Sequence, residues 1–247
     1  MAAPLASSGS DRSPGVGSGD GWRAFLGFPV PSLCWEFLRR NPAYREDFEN
    51  AARGGALAPR WGLTAPADPE LPADLARVAW RADVAPGLVV PMEHRSFGRP
   101  KALPRSVSEP IVGQDGLHLR LPSGLQVQLR GEATPAGPLV VVLSYDSDFN
   151  LRVRAVDALR RATLTDQPPK SRLSADQRAR LARALFALDA SLNAHSYRDI
   201  AAALFGDAEV DEATFKTSSI RDVTIRLVRR GKSLMAGGYL KLLRAGF

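Results

Sequence analysis

Eight cationic side chains fall within the carboxyl-terminal 32 residues: Lys216, Arg221, Arg226, Arg229, Arg230, Lys232, Lys241 and Arg244. Asp222 is the only anion among them, so this stretch carries +7, the whole formal charge of the chain. The other 215 residues hold 25 charges of each sign. Guanidinium and ammonium groups gathered in this way neutralise phosphates, and an arginine can also grip guanine O6 and N7 with two bonds. The chemistry indicated is recognition of a polyanion.

Bond-making chemistry is the competing reading. His195-Ser196-Tyr197-Arg198 has the H-x-x-R spacing of tyrosine recombinases, and Tyr239 stands near the end of the chain as their nucleophile does. Such an enzyme needs several cationic donors around the scissile phosphate. Here the second His or Trp between Arg198 and Tyr239 is missing, and only 41 positions separate the two. A recombination or excision enzyme of that type, or its accessory factor, is therefore kept as the alternative. Asp146 and Asp148 could serve a metal nuclease, but they read better as turn and cap residues. The histidines, His94, His118 and His195, lie far apart, and no Walker, GxGxxG or GxSxG pattern occurs. The single cysteine, Cys34, excludes an intramolecular disulfide and a Cys-ligated zinc site; it reads as a small buried hydrophobe. Tyr239 is the only aromatic between Lys216 and Arg244, which argues against single-strand stacking. No catalytic residue, metal or cofactor is expected.

The cations need a rigid element to aim them. Ser218 or Ser219 caps a helix whose earliest start is Ala213 and that Gly237-Gly238 ends. At 100° per residue, Ile220, Val223, Leu227, Gly231 and Leu234 fall within about 80° of one another. Ser218, Arg221, Arg229 and Lys232 fall opposite, flanked by Arg226 and Arg230. Lys216, Thr217, Ser218 and Arg221 would read base edges; Arg226, Arg229, Arg230 and Lys232 would hold phosphates. Two helices precede this one. Ser174 caps the first, which carries Leu181, Leu185, Leu188 and Leu192 on one stripe to about Asn193. Ser196 caps the second, with Tyr197, Ile200, Ala201 and Leu204 inward and Gly206 at its end. With a polar connection from Asp207 to Glu212, the set suits a helix-turn-helix.

Upstream, Met1 to Gly21 reads as a flexible tail. Residues 22–92 read as a small helical module anchored by aromatics such as Trp35, Tyr44, Trp61 and Trp80. His94 to Pro110 reads as linker. Leu117 to Leu121 and Leu125 to Leu129 alternate strictly around Pro122-Ser123-Gly124 and predict a hairpin. Leu139 to Leu143 suits a third, buried strand. Asp148 or Asn150 caps a helix from Leu151 to Arg161, and Thr165 to Pro169 breaks the chain again. The expected fold is α+β: the helical module, a small antiparallel sheet with one helix over residues 93–169, and a helical domain over 170–247. At 247 residues and 45% hydrophobic, the chain can build a real core. No apolar run reaches the roughly 18–20 residues that span a bilayer.

The stretches "SYRDIAAALFGD" and "SIRDVTIRLVRRGKSLMAGGYLKLL" resemble the carboxyl-terminal DNA-binding domain of a proteobacterial family of transcriptional activators. That family includes type VI secretion regulators and activators of excision and transfer of integrative and conjugative elements. "CWEFLRRNPAYREDF", "RWGL" and "VAWRADVAPGLVV" resemble the regulator-like domain found in front of it. Where the family often has Trp, this chain has Phe215. The resemblance implies a promoter-binding activator whose carboxyl-terminal domain is a winged-helix-like or helix-turn-helix DNA binder; the single cysteine fits a reducing compartment, and the expected location is the cytoplasm, at the nucleoid. Double-stranded DNA is the expected partner, with self-association and with RNA polymerase or an antiactivator as further partners and no membrane.

Overall fold

The computed structural model describes residues 21–97, 99–164, 173–207, 210, 215 and 218–245. The tail up to residue 20, the break at 165–169, most of the 207–212 connection, Ala213, Lys216 and Thr217 lie outside these residues.

Helix α1 (Val30–Leu38) starts with Pro31 in its first turn and is buried along almost its whole length. Asn41 then turns the chain. Its Oδ1 accepts from the Ala43 amide at 2.9 Å, capping α2 (Pro42–Ala52). Trp35, Tyr44 and Trp61 stack edge to face at 5.8 and 5.6 Å, and the Tyr44 hydroxyl donates to the Ala67 carbonyl. These rings, with Trp80, are the core anchors expected of them.

The sheet comprises β1 (Val89–His94), β2 (Ile111–Gly113), β3 (Gly116–Arg120), β4 (Gln126–Arg130) and β5 (Leu139–Val141), in the order β2-β3-β4-β1-β5. The hairpin is β3 and β4, with Leu119 opposite Val127. Two expectations need correction. The sheet is mixed, because β1 runs parallel to β4 with Val90 beside Val127. Strand β5 is a half-buried edge, since it pairs only with β1. Residue 92, where the helical module was expected to end, lies inside β1. Helix α3 (Phe149–Ala162) covers one sheet face, with Ala155, Ala158 and Leu159 against Leu119, Val127 and Leu129. The other face buries polar residues instead. Gln126 accepts from the Trp80 amide and donates to the Val78 carbonyl, both at 2.9 Å, so a neighbouring segment supplies the partners that burial demands.

Helix α4 (Ala175–Leu192) opens on a Ser174–Gln177 capping box and α5 (Tyr197–Phe205) on a Ser196–Asp199 one. Leu181, Leu185 and Leu188 are buried as expected. Leu192 and Tyr197 are not: they are 47% and 41% exposed, each standing at the helix end beside the α4–α5 turn. Helix α6 (Ser219–Ser233) crosses α4 so closely that a Cβ on Gly231 would lie 2.5 Å from the Ala184 carbonyl oxygen. Gly231→Val should therefore cost about 1–3 kcal/mol through overpacking, read as a lower urea midpoint with an unchanged slope. After Gly237, at φ +118°, the chain resumes as α7 (Tyr239–Ala245).

The amino-terminal module and the carboxyl-terminal helices share one core, from Trp22 to Leu243. Cys34 is fully buried in it, its thiol directed at the Tyr239 carbonyl at 3.5 Å. Asn41 Nδ2 donates to the Met235 carbonyl at 2.9 Å, and the Tyr239 hydroxyl to the Trp61 carbonyl at 2.9 Å. Arg40 bridges the two parts: it is bonded to Glu36 on α1, and its Nη2 donates to Asp189 Oδ2 on α4 at 2.7 Å.

Candidate nucleic-acid interface

Helix α6 carries most of the basic stretch, so its setting decides what the cations can reach. Ser218 is the cap: its Oγ accepts from the Arg221 amide at 3.3 Å and donates to the Phe215 carbonyl at 2.9 Å. Thr224, Leu227, Val228, Gly231 and Leu234 are buried. Ile220 and Val223, expected on the apolar stripe, are only half-buried. The stripe is thus rotated by roughly 40° about the axis toward Thr224 and Val228. Thr224 can go inside because its Oγ1 donates to the Ile220 carbonyl at 2.8 Å within the helix.

The rotation matters for the cations. Arg226, Arg229, Arg230 and Lys232 are exposed, whereas Arg221, placed on the far side by the sequence, is half-buried beside Val228 on the helical projection. Ser218 is half-buried as well. Among the described residues, none of Arg221, Arg226, Arg229, Arg230 and Lys232 is paired with a carboxylate. Arg244 differs, being bridged to Asp148 at 2.7 Å. Asp222 is exposed and lies between Arg226 and Arg229 around the axis, about opposite the buried stripe. A charge count shows it only as the lone anion; the projection that sorts the cations places it at the centre of their face.

Helices α4, α5 and α6 pack together. A satellite cluster of Ala201, Val210, Phe215 and Ile220 fastens the α5–α6 connection, with Phe215 as its buried aromatic anchor.

The Tyr239 hydroxyl is buried under the Trp61 carbonyl, and burial pushes its pKa up. His195 and Arg198 are exposed, just before α5 and within its first turn. Asp146 is held by Arg152 at 2.9 Å, whose hydrogen bond lowers its pKa, and Asp148 by Arg244. Among the described residues, no group of three or more His, Cys, Asp or Glu is placed to hold a metal ion. No described helix is long and apolar enough to cross a membrane.

Residues 142–244 match the family described as the DNA-binding domain of a type VI secretion system (T6SS) transcription factor. Residues 18–77 match the proteobacterial transcriptional regulator-like domain. The chain is a DNA-binding transcription regulator. No curated protein matches it. The DNA-binding domain of this regulator takes in α3 through most of α7, and its regulator-like domain takes in α1 and α2. The core shared by the two therefore joins the regulator-like domain directly to the helices that carry the basic face.

Proposed function

We propose that the protein is a sequence-specific transcription activator that lays α6 against duplex DNA and acts by binding, with no catalysis of its own. The observation that carries this reading is the solvent-facing set Arg226, Arg229, Arg230 and Lys232, without carboxylate partners among the described residues, inside a matched DNA-binding domain. The B-form major groove admits one helix, and α5 with α6 gives a helix-turn-helix-like pair for it. In this reading the amino-terminal end of α6, with Lys216, Thr217, Ser218 and Arg221, reads bases. The later cations hold phosphates, and Asp222 accepts from a cytosine amino group. Its targets are promoters that govern mobile-element excision and transfer or a secretion locus, in the cytoplasm and on the nucleoid. One such helix covers a short half-site, so the protein binds as an oligomer on paired half-sites. The regulator-like domain serves self-association or contact with RNA polymerase or an antiactivator. A footprint covering one isolated half-site would contradict the oligomer.

Arg221→Ala is expected to cost on the order of 1–3 kcal/mol on the cognate site and to narrow the gap between cognate and random duplex. Fluorescence anisotropy on both duplexes checks this; an unchanged ratio would remove Arg221 from the readers. The recombinase alternative is tested by Tyr239→Phe. Loss of one buried hydrogen bond should lower stability by about 1 kcal/mol while leaving DNA affinity intact. A covalent protein–DNA adduct formed by the unaltered protein and abolished by this change would favour the enzyme.

A further inference from the structure

The stretch between β1 and β2 reads as linker in the sequence, yet it is pinned to the sheet at both ends. The Arg95 amide donates to the Pro138 carbonyl at 3.1 Å. Further along, Leu103 packs against the apolar core beneath α3, and the Ser106 hydroxyl and Val107 amide both donate to the Arg120 carbonyl, at 3.0 and 2.8 Å. Between these points the described residues form neither helix nor strand, and Pro100 and Pro104 stiffen them. Arg99, Lys101 and Arg105 on this arm are exposed, and α3, on the same face of the sheet, adds exposed Arg154. The neighbouring carboxylates are taken by other cations: Glu93 by Arg95 at 3.3 Å, Glu109 by Arg77 at 3.6 Å, and Asp157 by Arg160 and Arg161 at 3.0 and 3.1 Å. None of Arg99, Lys101, Arg105 and Arg154 pairs with a carboxylate among the described residues. Against them stands exposed Glu132, in the turn whose Pro135 and Ala136 line a groove with Arg105. The surface is therefore cationic and uncompensated.

We propose that this arm, with Arg154 of α3, is a second DNA contact that holds phosphates of the duplex flanking the α6 half-site. The inference rests on the reading of α6 as the helix in the groove. Two observations favour a duplex as the occupant. The arm's cations are strung along a line and do not converge on a point: on an extended chain Arg99 and Arg105 can stand up to about 20 Å apart. A duplex carries one negative charge for about every 1.7 Å of its axis and matches such a line, whereas a compact anion does not. Helix α3, moreover, lies within the matched DNA-binding domain, although its buried face belongs to the core of the sheet and not to that of α4, α5 and α6. The arm itself precedes that domain, which starts at residue 142. Its contacts position the duplex without reading bases.

The test combines Arg99→Gln, Lys101→Gln and Arg105→Gln in the full chain and measures anisotropy on two cognate duplexes, of about 12 and about 40 base pairs, across a salt series. The longer duplex should be bound about tenfold or more weakly in low salt, with a slope of log affinity against log salt shallower by about 2.7. The shorter duplex, which offers α6 its half-site and no flank, should be bound as before. All three side chains are exposed, so the melting temperature should barely move. Arg99→Lys with Arg105→Lys keeps the charge and should keep the slope. Unchanged affinity and slope on the longer duplex overturn the proposal and would leave the arm to an acidic protein surface. Equal loss on both lengths also overturns it, because the arm would then act within the α6 half-site. Replacing the α6 arginines should weaken both lengths, which separates the two claims; an unaltered protein that bound neither duplex would overturn both.

Discussion

Replacing Arg226, Arg229 and Arg230 together by glutamine should lower affinity for duplex DNA on the order of 100-fold in low salt, at about 1 kcal/mol for each guanidinium removed. The effect should be alike for cognate and random sequence, because phosphate contacts position the protein without reading bases. The slope of log affinity against log salt should become shallower by about 2.7, or about 0.9 for each phosphate no longer neutralised. All three side chains are exposed, so the melting temperature should barely move. Anisotropy titrations across a salt series check the claim. A weakened complex with an unchanged slope would mean that these arginines touch no phosphate, and α6 would lose its place at the interface.

Arg40→Ala should produce a severe loss of stability. Its guanidinium joins Glu36 and Asp189 where α1 meets α4, and its side chain is 7% exposed. Removing it leaves carboxylates with little solvent and fewer partners, which costs about 3–5 kcal/mol. For a chain of this size that is roughly a 6–20 °C fall in melting temperature. The pH dependence follows from Glu36. Burial pushes its carboxyl up, but Arg40 and Arg39 together outweigh burial and hold it below the ordinary glutamate value. A carboxyl with a lowered folded pKa stabilises the fold above its unfolded pKa of about 4.3, and that stability fades as pH falls through the folded value. The unaltered protein should thus lose stability below about pH 4, whereas Arg40→Ala should already be weak at neutral pH and show a flatter acid limb. Thermal melts from pH 7 to 3 measure both; a modest change at neutral pH would show the network to be incidental.

Local patterns reveal what local chemistry builds. Strict alternation from Leu117 to Leu129 marks β3 and β4, and Ser174, Ser196 and Ser218 mark three helix starts because each hydroxyl has an amide within its own turn to satisfy. Strand β1 is hidden from such a reading. Pro91 interrupts the run Val89–His94, and its parallel pairing sets Val89 beside the distant Gln126, which no hairpin signal announces. Helix α7 is hidden by brevity, following a glycine pair that reads as an end. At the interface, the charge and the amphipathic character of α6 are legible. The rotation of its buried face is not, because Thr224 counts as polar until its hydroxyl is seen bonded within the helix. Nor does the sequence show that Arg40 is buried, since its carboxylate at Asp189 is 149 positions away.

The seam between α1 and α7 also bears on how the protein is made. Cys34 and Tyr239 meet although 205 positions separate them. At roughly 5–20 residues per second, a ribosome needs on the order of 10–40 s to deliver the second after the first. Throughout that interval the part of the first helix that will meet α7 waits uncovered, although its tryptophan already has Tyr44 and Trp61 beside it. A message cut short before the last helix would yield a polypeptide in which Trp80 lacks the Tyr239 ring that covers it in the finished protein.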